Sequence, residues 1–256
     1  MSQPPSVQQQ DALTWQQAMF SSSQKSRPRP SKHYGPHDVG RVYQIHETTE
    51  SVAIRVFLSS PGINDHPDLK EYCQGRLREI QARSSNIGKT RPCVVIKQPA
   101  ADKGQYSTGI NYSHGPQLLI LATLGGTPYD DVPYVLQHFM DPMLPNSYPT
   151  AGPPVSTKPP WYNPDQWLFQ FLFHSTRRIK GLWIAKRQDS LDAETGPGYQ
   201  FSRDTVEYFK NRCEERMDSW GALCIKDPGF LPTCIDNFRV RCLSSAISTS
   251  TTHLCS

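Results

Sequence analysis

The chain predicts an α+β fold, a small twisted antiparallel sheet or open barrel flanked by helices. Three observations carry this expectation. Short apolar runs of the buried-strand type stand at Pro92–Ile96 and Leu118–Leu124. Two stretches, Pro67–Ala82 and Ser202–Trp220, repeat apolar residues at three- and four-residue steps, the signature of one buried helix stripe. Strands and helices do not alternate regularly, which argues against a doubly wound parallel sheet.

Composition bounds the classes open to it. Hydrophobic residues make up 36% of the 256 residues and there are 23 prolines, a lean and proline-clustered make-up that suits a folded unit with disordered attachments. Residues 1–36 read as a disordered Gln/Ser/Pro-rich arm. Within it Leu13, Trp15, Met19 and Phe20 form an apolar cluster, read either as incidental or as a short recognition helix for a protein partner. The barrel-like core is expected over 37–142, a Pro-rich loop or linker over 143–160, strands and a helix over 161–241, and a frayed Ser/Thr-rich tail over 242–256.

Element by element, Val42–Ile45 reads as a short strand. Val52, Ile54, Val56 and Leu58 alternate, which predicts a second strand. Pro61-Gly62 breaks it, and Leu69, Tyr72, Cys73, Leu77 and Ile80 mark the inserted helix, with Pro67 in its first turn. Residues 84–89 and 102–115 read as loops. Gly125 to Pro128 is a turn, and Tyr134–Phe139 is expected to be a short strand. Trp167, Phe169, Phe171 and Phe173 alternate onto one face, and Gly181–Ala185 follows as another strand before a polar loop to Gly198. Ser202 caps the last helix, which is expected to end at Gly221.

The seven cysteines, Cys73, Cys93, Cys213, Cys224, Cys234, Cys242 and Cys255, are widely spaced and include no C-x-x-C pair. They read as reduced thiols of a cytoplasmic or nuclear protein, with neither a structural metal nor a cofactor expected. No apolar run is long enough for a membrane span, and the N-terminus has no secretory pattern. The net charge of +4 permits an anionic partner without demanding one. P-loop, Gly-x-Ser-x-Gly, Gly-x-Gly-x-x-Gly and His-Glu-x-x-His motifs are lacking.

The sharpest local feature is Lys89-Thr90-Arg91-Pro92 entering an apolar strand. Proline fixes the backbone there, and the arginine either grips phosphate or pairs with a nearby carboxylate. Gly40-Arg41-Val42-Tyr43, then Lys89 to Ile96, then Leu119-Ile120-Leu121-Ala122-Thr123 together resemble, in order, three markers of the PemK/MazF-like toxin barrels. The resemblance implies an SH3-like open barrel ending in a C-terminal helix, elaborated in this chain by the inserted helix. It implies metal-independent cleavage of single-stranded RNA by attack of the 2′-hydroxyl. In that chemistry Arg91 would stabilise phosphoryl charge and Thr123 would hydrogen-bond the phosphate. It also makes a homodimer an expectation. The sequence departs from the pattern at Arg41, where the family is usually acidic, and in the long segment between the first two markers. A non-catalytic interaction module on the same or an unrelated α+β fold is the alternative.

Two histidines, His46 and His138, are candidates for proton transfer because histidine is the side chain that ordinarily titrates near neutral pH. Arg177, Arg178, Lys180, Lys186 and Arg187 around Trp183 form a basic patch, read as a nucleic-acid surface or as a solvated hairpin face.

Overall fold

The computed structural model describes residues 37–82, 89–98, 116–125, 127–143, 155, 157–161, 163, 165–175, 177, 179–184 and 197–251, the last ten by backbone alone. The N-terminal arm, the loops expected over 84–88 and 102–115, most of the Pro-rich stretch and Cys255 lie outside the described residues.

The architecture is α+β, with five helices beside an open, six-stranded antiparallel sheet. In chain order the elements are β1 (Val42–Ile45), α1 (Thr49–Ser59), α2 (Pro67–Ala82), β2 (Arg91–Lys97) and β3 (Gln117–Thr123). There follow α3 (Tyr134–Phe139), β4 (Met140–Pro142), β5 (Thr157–Lys158), β6 (Gln166–Phe169), β7 (Phe173–His174), β8 (Gln200–Phe201), α4 (Arg203–Lys226) and α5 (Phe230–Thr251). The sheet runs β1-β2-β3-β6-β4, with β7 also pairing β3, while β5 and β8 form a separate ribbon.

Both faces of the sheet are covered. On the first face Tyr43, Ile45, Cys93, Val95, Leu118, Ile120, Ala122 and Trp167 pack with α1, α2, α3 and α5. On the second, Val42, Val94, Ile96, Leu119, Leu121 and Leu168 meet Met143, Trp161, Tyr199 and Phe201. Helix α4 serves both layers. Its first half puts Val206, Phe209 and Cys213 into the second core, and its second half puts Trp220 and Cys224 into the first. Double coverage explains why β2 and β3 read as continuous apolar runs rather than as alternating strands.

Gly40 enters β1 at φ 82°, and a Cβ there would lie 2.9 Å from the Phe201 carbonyl oxygen. Its amide donates to Val95 O and its carbonyl accepts from Phe201 N, both at 2.8 Å. The glycine that opens the first marker therefore joins β2 to the strand before α4, where no side chain fits.

Five sequence expectations are corrected. Val52–Leu58 is not a strand but lies in α1. Thr48 caps that helix by accepting from Ser51 N, and Ser51, Val52, Ala53, Ile54, Val56 and Phe57 are all buried. A helix buried nearly all round shows no single period, so its β-branched residues imitated a strand. Tyr134–Phe139 is likewise helical, with Val135, Leu136 and Phe139 buried at helical spacing after Pro133. Helix α4 does not stop at Gly221 but runs to Lys226, and Gly221 lies against Pro61 in its interior. The tail expected to fray after Arg241 continues as α5 to Thr251. Leu231, Cys234, Ile235 and Phe238 anchor that helix in the first core. Of the strand expected over Gly181–Ala185, the described residues 181–184 contribute isolated bridges, Tyr43↔Leu182 and Ile184↔Gly198, rather than a strand. The alternating aromatics Trp167, Phe169, Phe171 and Phe173 do all enter the first core, although 170–172 interrupts the ladder between β6 and β7.

Among the described residues no helix is long and apolar enough to cross a membrane, and Cys73, Cys93, Cys213, Cys224 and Cys234 are buried free thiols. Burial pushes the Cys73 thiol up to about 11 and Cys234 to about 12, so neither presents a reactive thiolate near neutrality.

Candidate nucleic-acid interface

The register of the first three strands decides where the candidate side chains point. Ile45 pairs with Arg91 and Tyr43 with Cys93, and Cys93 pairs with Ile120. Residues opposite one another share a face, and successive residues alternate. Arg91 therefore lies on the face of Cys93 and Val95, the first core, level with Ala122. Thr123 is one step further along β3 and lies on the face of Leu119 and Leu121. The two strand ends are neighbours, but Arg91 and Thr123 point to opposite sides of the sheet. Thr123 is exposed and pairs in the ladder with Gln166.

Arg91 is half-buried, and its Nε is buried without an acceptor. Burial alone holds its guanidinium below the ordinary arginine value, with no carboxylate to oppose the effect. Other partly buried arginines do have acids. Arg76 meets Glu50, and Arg212 and Arg216 share Asp141 at 3.2 and 2.6 Å.

His46 continues β1 beyond Ile45, so it faces the second side, opposite Thr90 in the extended register. Its Nε2 is 3.2 Å from Thr90 Oγ1 and 2.6 Å from Lys180 Nζ. An ammonium only donates, so in this contact Nε2 is on the accepting side. The ring's Nδ1 is buried and has no partner among the described residues. Lys180 is held by main-chain bonds: its amide donates to Gln44 O at 2.8 Å, and Gln44 N donates to Gly181 O at 2.9 Å. Its ammonium is exposed, and among the described residues no carboxylate lies within ion-pair distance of it. Continued outward, the β2–β3 register sets Thr90 level with Thr123. A polar strip of Lys180, His46, Thr90 and Thr123 thus runs along the ends of the strands on the second face.

The other candidates are dispersed. His138 Nε2 lies 3.1 Å from Arg216 O, and its ring packs edge-on against Phe139 and Trp220. Burial, then the charges of Arg216 and Arg212, hold its pKa below the ordinary histidine value, while the Arg216 carbonyl works the other way. It ties α3 to α4, away from the strip. Arg177 donates to the Ile80 carbonyl near the end of α2, and its amide donates to Ser175 Oγ at 3.0 Å. It clamps a helix C-terminus, a favourable place for a cation. Arg178, Lys186 and Arg187 lie outside the described residues.

Sequence reasoning missed a buried polar knot next to the strip. Glu47 is 3% exposed; its two oxygens accept from Ser51 Oγ and Ser175 Oγ, each at 2.7 Å. Arg55 lies over the Phe173 ring at 5.1 Å, within reach of the Glu47 charge. Burial lowers the Arg55 pKa and Glu47 opposes that. Ser175 is 128 residues from Glu47, a separation no local pattern reports. Thr90, by contrast, was legible as the residue before Arg91, whose side chain must take the other face. Among the described residues no group of three His, Cys, Asp or Glu is placed to hold a metal ion.

No protein-family model, curated protein or solved structure matches this chain. The resemblance to the toxin barrels rests on the three short segments alone.

Proposed function

We propose that this chain binds the phosphate backbone of single-stranded RNA along the strip of Lys180, His46 and Thr90. The observation that carries the proposal is that, among the described residues, no carboxylate lies within ion-pair distance of Lys180. Its ammonium donates to His46 Nε2, 2.6 Å away. An ionised acceptor such as phosphate makes a stronger, charge-assisted bond to an ammonium than neutral imidazole does. Arg91, which also meets no acid among the described residues, adds positive charge from the other side of the same strand end. The marker resemblance makes RNA the polyanion to test first.

Cleavage by Arg91 and Thr123 acting on one phosphate has less support, because side chains on opposite faces do not converge on one phosphoryl group. The reading carried forward is binding. The test is fluorescence anisotropy of a labelled mixed-sequence single-stranded RNA across a salt series. Lys180→Ala should weaken binding and reduce the log–log salt slope by about 0.7, the value expected for one lost phosphate contact on a single strand. An unchanged slope removes Lys180 from the interface. A parallel incubation in chelator reads cleavage. Strand scission by wild type that Arg91→Ala abolishes would restore a catalytic role to Arg91.

A further inference from the structure

We infer that Lys180 is a nucleophilic lysine, with His46 as its base, and that acyl phosphates acylate this chain there. The inference does not depend on the backbone-binding reading above. It starts from one contact. Lys180 Nζ lies 2.6 Å from His46 Nε2, so this amine stands against a base that ordinarily titrates near neutral pH. Two other lysines have different partners. Lys70 rests on the Asn64 amide oxygen at 2.8 Å and Lys210 on the Glu207 carboxylate at 2.9 Å. A carboxylate is a far weaker base than imidazole, and an amide oxygen is weaker still.

The pair is held by the main chain. The Lys180 amide donates to Gln44 O at 2.8 Å, and the Gln44 side chain donates to Leu182 O at 3.0 Å, two residues before His46. Lys180 is exposed, so a small reagent reaches its amine. In the amine form Nζ keeps one N–H on Nε2 and turns its lone pair away from the ring. That lone pair attacks the acyl carbonyl carbon, and a C–N bond forms. The nitrogen becomes cationic and passes a proton across to Nε2, the step a positioned base accelerates. Thr90 Oγ1, 3.2 Å from Nε2, can donate to that atom before the transfer and accept from it afterwards, because a hydroxyl does either. The C–O bond to phosphate then breaks, the phosphate leaves with the electron pair, and the imidazolium returns the proton to it. The products are an Nζ-acyl lysine and inorganic phosphate. An acyl phosphate fits this position because its leaving group is an anion, and among the described residues no carboxylate stands within ion-pair distance of Lys180 to repel it.

The experiment treats the full chain with limiting acetyl phosphate and follows each lysine by site-resolved mass spectrometry over time. Lys180 should be acetylated about tenfold faster than Lys70 or Lys210, a modest share of the roughly hundredfold or more that a positioned base supplies in an evolved site. His46→Gln keeps an acceptor for Lys180 but no base, and His46→Ala removes both. Each should bring Lys180 down to the rate of Lys70 and leave Lys70 and Lys210 unchanged. Thermal melts show which variants are folded. A wild-type rate at Lys180 no greater than at Lys70 overturns the inference, whatever the variants do. An excess at Lys180 that persists in a folded His46 variant also overturns it. The reaction is read without nucleic acid, so either result leaves the RNA-binding reading to its own assay.

Discussion

Replacing Glu47 by alanine tests the idea that a buried carboxylate holds the start of α1 against the segment that carries Lys180. The side chain is 3% exposed and accepts two hydroxyl bonds of 2.7 Å, from Ser51 and Ser175. Hydrogen bonds to a charged group contribute about 1.5–3 kcal/mol each. Ser51 Oγ keeps a second acceptor, Thr48 O at 2.8 Å, so its loss falls at the low end. Ser175 Oγ still accepts from Arg177 N at 3.0 Å but, among the described residues, has no other acceptor for its proton. Among the described residues, Arg55 loses the one acid that raises its pKa. Together these put the cost near 3 kcal/mol, or a fall in Tm of about 6–12 °C for a folded unit of this size. Glu47→Gln keeps one acceptor oxygen and gives Ser175 an amide donor, so it should cost about half as much. A double-mutant cycle with Ser175→Ala separates the pair energy from the cavity left behind. Denaturant unfolding of wild type, Glu47→Ala, Glu47→Gln, Ser175→Ala and the double mutant is the assay. A Glu47→Ala variant within about 0.5 kcal/mol of wild type would show that the knot contributes nothing to stability.

Three further outcomes follow from the geometry. Gly40→Ala should cost about 2 kcal/mol or more in chemical denaturation, because φ is 82° and the new Cβ would meet Phe201 O at 2.9 Å. Trp220→Phe should cost about 2 kcal/mol, since the fully buried ring donates from Nε1 to Ser60 Oγ at 2.8 Å. Ser60 keeps Val56 O as an acceptor, so most of that loss is packing rather than an orphaned hydroxyl. His138, whose pKa is lowered from its ordinary 6.5 chiefly by burial, binds its proton more readily in the unfolded chain. Its neutral form therefore stabilises the fold fully above about 6.5, and that contribution is lost as pH falls toward the folded value. His138→Gln should flatten the stability profile through that acid window, and an unchanged profile would show that another group governs it.

The helices show which features of the fold were legible. The stripe of α2 and the cap of α4 follow from one-face amphipathicity and a Ser202 side chain that accepts from Thr205 N, both local properties. Helix α1 was obscured because its surroundings are not local. It lies among the sheet, α2 and α3, so five hydrophobic residues on several sides are buried and no polar face marks the period. Helix α5 carries a readable stripe at Leu231, Cys234, Ile235 and Phe238. Pro232 stands in its first turn, where a missing amide costs nothing, so that proline is compatible with the helix rather than a break.

The site turns on parity, a property the markers do not contain. Arg91 and Thr123 were legible as the ends of two adjacent strands, and the structure does pair those strands. Whether their side chains meet depends on register, and a shift of one residue moves a side chain to the opposite face. Cys93 opposite Ile120 puts Arg91 level with Ala122, so Thr123 falls on the second face. The only irregularity between the strands lies at Val95/Lys97, at the other end of the ladder, so it leaves the relation between Arg91 and Thr123 intact. The same parity that parts those two gathers His46, Thr90 and Thr123 into one row, because Ile45 opposite Arg91 carries His46 to the side of Thr90. Lys180 joins them through the main-chain bonds of Gln44 rather than through any motif of its own. A variant that slipped β3 by one residue would bring Thr123 to the side of Arg91. It would also exchange Leu119 and Leu121 with Leu118, Ile120 and Ala122 between two cores that are both closed to solvent. The native register is held against that exchange by the fit of side chains of different shape on each face, since neither leucine would be moved into water.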